Sequence, residues 1–314
     1  MKAFITGISG FVGYYLANKL VSEGYDVLGI SRAEPKRKAT GVEYILCDIN
    51  DRGKMEKIIT DSRPDHVYHL AGPAFIPLSY EKPNIAYGTI VDGTLNLYEI
   101  IRKHRLSCKV LYVGSADVYG HGDGTPLHEG SPIVPMNPYA GAKACAEIIS
   151  KQFYHTYGIQ IVSARPFNHT GPYQSVDFVC SNFAKQIALM EKNGESTLSV
   201  GNIEVERDFL DVRDVVDAYY LLMQCGTPGE VYNVCSGTCT SLKNIISWLF
   251  MNSSIQQHQI FVAPEKLRKV DAPVRVGNHD ALVRDTRWFP KYKIKDTMHE
   301  LLQYWRDNLE KLEK

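Results

Sequence analysis

The sequence has little of what marks membrane, secreted or nucleic-acid-binding proteins. Its charges balance, with 35 Lys and Arg against 35 Asp and Glu, so it offers no electrostatic footprint for nucleic acid or an acidic membrane. It has no run of about 20 apolar residues that would span a bilayer. The first residues form a strand pattern without the hydrophobic block of a signal peptide. We therefore expect a soluble, cytoplasmic protein with no membrane or nucleic-acid partner.

The chain also lacks metal-type cysteine spacing, internal repeats, low-complexity tracts and flexible linkers. Its seven cysteines are odd in number and lie mostly in apolar segments, which is typical of reduced cytosolic thiols. We expect no metal ion. The hydrophobic content of 44% over 314 residues indicates a globular protein larger than one typical domain.

What the sequence does contain is an alternation of strand and helix patterns that continues to about residue 165. Such alternation predicts a parallel sheet with helices on both faces. A loop rich in Pro, Asn and Gly follows, and the later patterns predict a strand at 231–234 and helices at 178–192, 241–250 and 297–309.

These patterns predict an α/β fold, a Rossmann-type doubly wound parallel sheet with a smaller, interleaved C-terminal substrate domain. We assign 1–166 with about 210–234 to the cofactor-binding domain, and 167–209 with 235–314 to the substrate domain. The substrate is expected in the cleft between them.

A glycine turn follows the first strand pattern, with Gly7, Gly10 and Gly13 spaced three apart. The first two let the backbone turn and approach a pyrophosphate, and Gly13 lets helix and strand pack closely. The helix start supplies free N–H groups to an anion. The spacing differs from the commoner Gly-x-Gly-x-x-Gly, but its place directly after a strand favours a dinucleotide site that includes Phe11 and Val12.

The end of the second strand bears on the choice between NAD and NADP. An acid about 20 residues past the glycines would bind the ribose of NAD, whereas this chain has Ser31 and Arg32 there. A hydroxyl and a guanidinium bind the 2′-phosphate that a carboxylate would repel. We predict NADP(H), with NAD less favoured; the alternative is that Arg32 begins a solvated basic loop.

Further cofactor contacts are predicted at the ends of the third and fourth strands. The third strand pattern runs to Ile49 and would place Asp48 on the adenine amine. The fourth ends in a segment that contains Leu70, Ala71 and Gly72.

Tyr139 and Lys143 are four residues apart, after Pro138, in a segment that predicts a helix. Residues at this spacing share one helix face, so a phenol and an ammonium would meet at one substrate hydroxyl. A free phenol has a pKa near ~10, and we expect the ammonium to favour the phenolate. The alternative is an ordinary pair of helix neighbours, which the spacing by itself does not exclude.

Together with the segments 69–72, 115–120, 165–172 and 207–214, these motifs resemble the extended short-chain dehydrogenases/reductases that modify nucleotide-linked sugars. The resemblance covers essentially the whole chain. It implies that Ser115 bonds the reacting oxygen and that Tyr139 is the acid/base. It also implies that Lys143 holds the nicotinamide ribose and lowers the tyrosine pKa.

The same resemblance implies a set of substrate contacts. Asn168 would reach the diphosphate, and Phe178, Val179 and Lys185 would line the nucleotide. Phosphate groups would meet Gly201 and Asn202 with Arg207 and Arg268, because a guanidinium binds phosphate oxygens in pairs. Arg213 and Asp214 are expected to be structural.

The segment around Asp117 bears on the reaction. Dehydratases of the family usually have Thr-Asp-Glu or Thr-Ser-Glu where this chain has Ser115, Ala116 and Asp117. Ala116 has no proton to give, and Asp117 is one methylene shorter than Glu, which disfavours dehydration. A 4-epimerase usually has two small residues there. A 4-keto reductase needs only hydride from NADPH and a proton from Tyr139.

The segment 165–172 resembles the GDP-4-keto-6-deoxy-mannose reductases, which make GDP-rhamnose, and in part the GDP-mannose 4,6-dehydratases. Tyr173 departs from the Gly that those enzymes often carry and is expected to narrow or reshape the sugar pocket. Ile90 stands where the family commonly has an Asn that organises the active-site backbone.

We therefore predict an NADP(H)-dependent enzyme that reduces a 4-keto-6-deoxy hexose on GDP, with a GDP-mannose 4,6-dehydratase or a 4-epimerase that uses Asp117 as base as the alternative. A non-catalytic NADP sensor or RNA-binding relative is disfavoured, because Tyr139 and Lys143 are both present and the net charge is zero. The resemblance also implies a homodimer through the tyrosine helix and a helix at about 85–102. Within that helix, Leu95, Leu97 and Ile101 serve either the subunit contact or the monomer core.

Overall fold

A computed structural model describes residues 1–267 and 272–309 of the chain. Its strands are β1 Lys2–Thr6, β2 Asp26–Ser31, β3 Val42–Leu46, β4 His66–His69, β5 Lys109–Val113, β6 Gln160–Pro166, β7 Asn168–Thr170, β8 Thr197–Val200, β9 Glu206–Asp211, β10 Val231–Val234, β11 Cys239–Ser241, β12 Gln259–Val262 and β13 Val274–Arg275. Its α-helices are α1 Phe11–Ser22, α2 Arg52–Ser62, α3 Ile76–Glu81, α4 Pro83–Tyr87, α5 Gly93–Lys103, α6 Pro138–Tyr157, α7 Val179–Asn193, α8 Val212–Cys225, α9 Leu242–Met251, α10 Asp280–Thr286 and α11 Ile294–Asn308. A π-helical turn, Gly88–Asp92, joins α4 to α5, and short 3₁₀ helices lie at Ala116–Tyr119 and Pro264–Lys266.

Seven parallel strands form the central sheet, in the order β10-β6-β5-β4-β1-β2-β3. At the carboxyl end of β1, Thr6 pairs with Ile30 of β2 and with His69 of β4. The winding of the sheet reverses between β1 and β4, which opens a crevice outside these strand ends. The predicted Rossmann-type fold is confirmed.

Helices cover both faces of this sheet. The apolar sides of α1 and α8 pack on one face, where Leu16 and Leu20 of α1 are fully buried. Helices α2, α5 and α6 cover the other face, and Leu97 and Ile101 of α5 are buried there. Because these two residues serve the monomer core, they are not available for a subunit contact.

A smaller unit is built around β9, which pairs with β7, β11 and β13. Helices α7, α9 and α11 enclose a separate apolar core beside it. The chain returns from the smaller unit to the central sheet at a point that the predicted domain division does not include. Leu282 of α10 and the following Trp288 pack into the core of the central sheet, although we assigned this segment to the substrate domain.

Most predicted element boundaries agree closely with the structure. Ser241 caps α9, because its hydroxyl accepts a hydrogen bond from the Asn244 N–H at 3.1 Å. The third strand is an exception, since β3 ends at Leu46 and leaves Asp48 and Ile49 in the turn that follows. The predicted helix at about 85–102 is interrupted by the π-helical turn. No helix in the described ranges is long and apolar enough to cross a membrane.

Candidate active site

The glycine turn between β1 and α1 has no room for side chains at two of its glycines. Gly7 has φ +76°, and a Cβ at Gly13 would come within 2.5 Å of the Gly7 carbonyl oxygen. Gly10 is the N-cap of α1 and offers no side-chain capping bond, so the first N–H groups of the helix are left for an anion. Phe11 and Val12 follow at the helix start. This cradle fits the pyrophosphate of a dinucleotide.

A buried hydrogen-bond chain holds the crevice in shape. Thr94 donates to the Ile90 carbonyl at 2.5 Å, so His69 Nε2–H must donate to Thr94 Oγ1 at 2.9 Å. His69 Nδ1 then accepts from the Thr6 hydroxyl at 2.8 Å, and Thr6 Oγ1 accepts from the Ala71 N–H at 3.1 Å. Burial lowers the pKa of His69 to about 3, which keeps the ring neutral. These hydrogen bonds tie β1, β4 and the π-helical turn together.

The remaining predicted cofactor residues lie at or after the ends of β2, β3 and β4. Ser31 is buried and donates to the Ala33 carbonyl at 2.8 Å, whereas Arg32 is exposed. Asp48 is exposed and accepts from the Asn50 N–H at 2.9 Å, and Ile49 is buried. Leu70, Ala71 and Gly72 follow β4, and a Cβ at Gly72 would lie 3.0 Å from Ile90 Cγ1. Ile90 therefore packs a hydrocarbon side chain where the family commonly has Asn.

Helix α6 brings Tyr139 and Lys143 to the same face, as the spacing predicts. Asn137 caps the helix through a 2.8 Å bond from the Ala140 N–H, and Pro138 takes its first position. Lys143 is buried and donates to the Val113 carbonyl oxygen at 2.6 Å. Its Nζ is 5.9 Å from the centre of the Tyr139 ring. Burial lowers the pKa of Lys143 to about 8.

The surroundings of Tyr139 favour its neutral phenol form. Burial raises its pKa above the usual value, the charge of Asp117 raises it further, and a hydrogen bond with Ser115 lowers it. The expected shift toward the phenolate was therefore wrong in direction. Lys143 directs its ammonium to a backbone carbonyl, and burial penalises the phenolate more than any nearby group stabilises it. A neutral phenol is suited to donate a proton.

Ser115 and Asp117 lie where β5 ends and the 3₁₀ helix begins. Ser115 Oγ accepts from the Asp117 N–H at 3.1 Å and lies 3.4 Å from Asp117 Oδ2. The other carboxylate oxygen, Oδ1, forms an ion pair of 2.7 Å with Nη1 of Arg275 on β13. Sequence reasoning missed Arg275, because no motif links it to the active-site segment.

Glu147 lies on the same face of α6 as Lys143, four residues farther along the helix. Glu147 forms a buried bidentate ion pair with Arg165 of β6, with Nε–Oε2 and Nη2–Oε1 distances of 2.9 and 2.5 Å. Arg165 also donates to the Tyr119 hydroxyl at 2.7 Å and to the Glu129 carbonyl at 3.0 Å. The pair anchors α6 to the sheet.

The predicted substrate residues are only partly brought together. Asn168 is in β7 beside β9, where Arg207 is buried and donates to the Glu206 carbonyl at 2.8 Å. Arg207 pairs in register with Arg275, so two guanidinium groups start from neighbouring strands. Arg268 lies outside the described residues.

Helix α7 and the turn after β8 carry the other predicted substrate contacts. Phe178 and Val179 form the start of α7, and Lys185 places its ammonium 5.5 Å from the Trp305 ring centre. Asn202, after Gly201, accepts from the Glu204 N–H at 3.0 Å. These contacts lie within one turn and along one face of α7. They do not bring the side chains of Phe178, Val179, Lys185 and Asn202 into one pocket.

Arg213 and Asp214 have the structural roles that we expected. Arg213 forms a bidentate pair with Asp211, with both N–O distances at 2.8 Å. Asp214 accepts from the backbone N–H groups of Lys291 and Tyr292.

Tyr173 packs among aromatic and basic side chains. It has φ +76°, and its ring packs edge-on against Tyr14 and Tyr304. The Arg37 guanidinium stacks on the same ring, with Cζ 3.2 Å from its centre. These contacts are with α1, α11 and the basic loop after β2, and the narrowing or reshaping of the sugar pocket stays a prediction.

Comparisons with known proteins identify relatives over almost the whole chain. The family model described as GDP-mannose 4,6 dehydratase matches residues 4–301. A GDP-6-deoxy-D-mannose reductase from Pseudomonas aeruginosa is 34% identical over 98% of this chain and 98% of its own. A GDP-mannose 4,6-dehydratase from Sinorhizobium fredii is 28% identical, over 79% of this chain and 75% of its own.

Two solved structures have the same fold. RMD from Pseudomonas aeruginosa complexed with NADPH has a TM-score of 0.86 and 33% identity, over 98% of this chain and 99% of that one. A UDP-glucose 4-epimerase from Thermotoga maritima has a TM-score of 0.88 and 26% identity, over 98% of this chain and 100% of that one. With its glycine cradle, its Ser115, Tyr139 and Lys143, and these matches, the chain belongs to the GDP-mannose 4,6-dehydratase family of nucleotide-sugar enzymes.

Proposed function

We propose that this protein is an NADPH-dependent reductase that converts GDP-4-keto-6-deoxy-mannose to GDP-rhamnose. The observation that carries the proposal is the Tyr139 phenol beside Ser115, on the helix that also carries the buried Lys143. A ketone reductase needs a proton donor at that position. The similarity to a GDP-6-deoxy-D-mannose reductase over almost the whole chain supports the same substrate class.

In this mechanism the bound cofactor supplies a hydride to C4 of the sugar. Ser115 and Tyr139 donate hydrogen bonds to the C4 carbonyl oxygen and polarise it. Tyr139 then gives its proton to the alkoxide that forms. The neighbouring Lys143 ammonium, protonated in most molecules below pH 8, stabilises the phenolate left on Tyr139.

Two incubations distinguish the proposed reduction of the keto sugar from the alternative, dehydration of GDP-mannose. GDP-mannose and its 4-keto-6-deoxy derivative are given separately to the protein with NADPH, and sugar mass and NADPH absorbance are followed. We expect the keto sugar to gain two hydrogens as NADPH is consumed, and GDP-mannose to stay unchanged. Loss of water from GDP-mannose without net NADPH use would make the protein a dehydratase, and an unreacted keto sugar would end the reductase proposal.

The same assay tests the cofactor preference. The Ser31 and Arg32 pair after β2 offers a hydroxyl and an exposed guanidinium to a 2′-phosphate. A charge-assisted bond of this kind corresponds to about tenfold or more in kcat/KM for NADPH over NADH.

We also propose a homodimer that forms through α4, α5 and α6. These helices expose Ile85, Tyr87 and Ile148, which are 42%, 40% and 63% exposed in the single chain. Such apolar side chains suit a subunit contact. Sedimentation should give a dimer, and Ile148→Glu should give a monomer. Met251→Glu, at a 69% exposed position on α9, should stay dimeric; a wild-type monomer would exclude the proposal.

A cytoplasmic location is part of the same proposal. All seven cysteines are free thiols, and four of them are buried. Reduced thiols suit a compartment in which glutathione and thioredoxin suppress disulfides.

A further inference from the structure

We propose that Arg275 determines reaction specificity, because its ion pair with Asp117 withholds that carboxylate from the carbons beside the 4-keto group and so restricts the site to reduction. This inference rests on the proposed reductase function. It assigns a role to a residue that is distant from the catalytic segment in sequence and touches it through one side-chain contact.

The ion pair is sheltered and its guanidinium is held in place. Side-chain exposure is 14% for Arg275 and 20% for Asp117, well below that of the exposed pairs on the surface of this chain. The backbone of Arg275 is fixed by its parallel pairing with Arg207 of β9. A pair with this burial holds its geometry better than a solvated one.

Asp117 is close to the reacting group. Its Oδ2 lies 3.4 Å from Ser115 Oγ, and its N–H donates to the same oxygen at 3.1 Å. Its charge also contributes to the raised pKa of Tyr139. If Ser115 and Tyr139 bind the C4 oxygen, the Asp117 carboxylate would lie near the neighbouring carbons C3 and C5.

Hydrogens on these two carbons are acidic because each carbon is next to a ketone. A free carboxylate could take one of them: the C–H bond breaks, the proton goes to the carboxylate oxygen, and the electron pair forms the enolate. Return of a proton from either face would exchange or invert that carbon. The Arg275 guanidinium engages Oδ1 at 2.7 Å, so the carboxylate is held in one orientation and is not free to turn toward a C–H bond.

Deuterium exchange tests this role directly. The protein is incubated in D₂O with GDP-4-keto-6-deoxy-mannose and NADP⁺, so that reduction cannot occur, and deuterium in the sugar is measured by mass spectrometry against an enzyme-free blank. We expect Arg275→Met to raise the enzyme-dependent exchange rate by about tenfold or more over the wild type. Arg284→Met is the matched control and should leave exchange unchanged, because Arg284 pairs with Asp285 at a site where its side chain is 70% exposed.

A second substitution separates the chemical role from a purely structural one. Asp117→Asn in the Arg275→Met background should return exchange to the wild-type level, because the base is gone. Arg275→Lys keeps a charge without the guanidinium fork and should give an intermediate rate, which also keeps the test decisive if Arg275→Met folds poorly.

The proposal is overturned if folded Arg275→Met and Arg275→Lys both exchange no faster than the wild type, or if exchange persists after Asp117→Asn. Failure of the reductase function itself would be seen separately, as a wild-type protein that leaves NADPH unoxidised by the keto sugar.

Discussion

Replacing Tyr139 by Phe should lower kcat for keto-sugar reduction by about 10²–10⁴-fold, the usual contribution of a positioned proton donor. The Tyr139 phenol is protonated and uncharged, so the substitution removes a proton donor and a hydrogen bond but no charge. Phe fills nearly the same volume, and we expect the free energy of unfolding to change little. KM for the sugar should change much less than kcat, because the lost interaction is strongest in the transition state.

Steady-state NADPH oxidation and urea unfolding would be measured on the same preparations. Tyr157→Phe is the matched control, since Tyr157 is on the same helix and 47% exposed; it should keep wild-type kcat. A Tyr139→Phe protein with kcat within about threefold of wild type would remove Tyr139 from the proton-donating role, because general acid catalysis contributes far more than that.

Replacing Glu147 by Ala should lower the free energy of unfolding by about 3–5 kcal/mol, the usual effect of removing one partner of a buried ion pair. The side chains of Arg165 and Glu147 are only 4% and 7% exposed. Without Glu147, the Arg165 guanidinium would have no counter-charge and little access to bulk water. The Tyr119 hydroxyl would still accept one of its hydrogen bonds but could not balance its charge.

Urea unfolding of Glu99→Ala provides the control for this loss. Glu99 forms an ion pair of 2.8 Å with Arg102 in which the side chains are 30% and 43% exposed, and its removal should change stability by less than about 1 kcal/mol. Replacing both Glu147 and Arg165 by Met should recover part of the loss, because no buried charge is then left unpaired. Equal effects at Glu147 and Glu99 would show that the buried pair is not the anchor of α6.

Helix α6 shows why some features could be predicted from the sequence and others could not. Tyr139 and Lys143 face the same way because a helix repeats every 3.6 residues, which is a local property of the backbone. The protonation of the same pair is not local. It depends on burial under other elements, on the Val113 carbonyl that accepts from Lys143, and on the charge of Asp117.

Contacts that the sequence did not predict share this dependence on distant pairing. Arg275 reaches Asp117 because β13, which pairs with β9, lies near the 3₁₀ helix that follows β5. Tyr173 turns toward Arg37 and Tyr304, which come from opposite ends of the chain. A contact between such elements leaves no regular spacing in the sequence.

By itself, the sequence determined the alternation that makes the sheet parallel, the glycine cradle, the tyrosine–lysine face and the hydroxyl–guanidinium pair after β2. Each is encoded within a few residues by backbone geometry, side-chain size or charge. Only the tertiary structure decided that burial and Asp117 raise the pKa of Tyr139, that Glu147 anchors α6 and that Asp117 is paired with Arg275. Burial and ion pairing are set by elements far apart in the chain, and these interactions exist only once the fold brings them together.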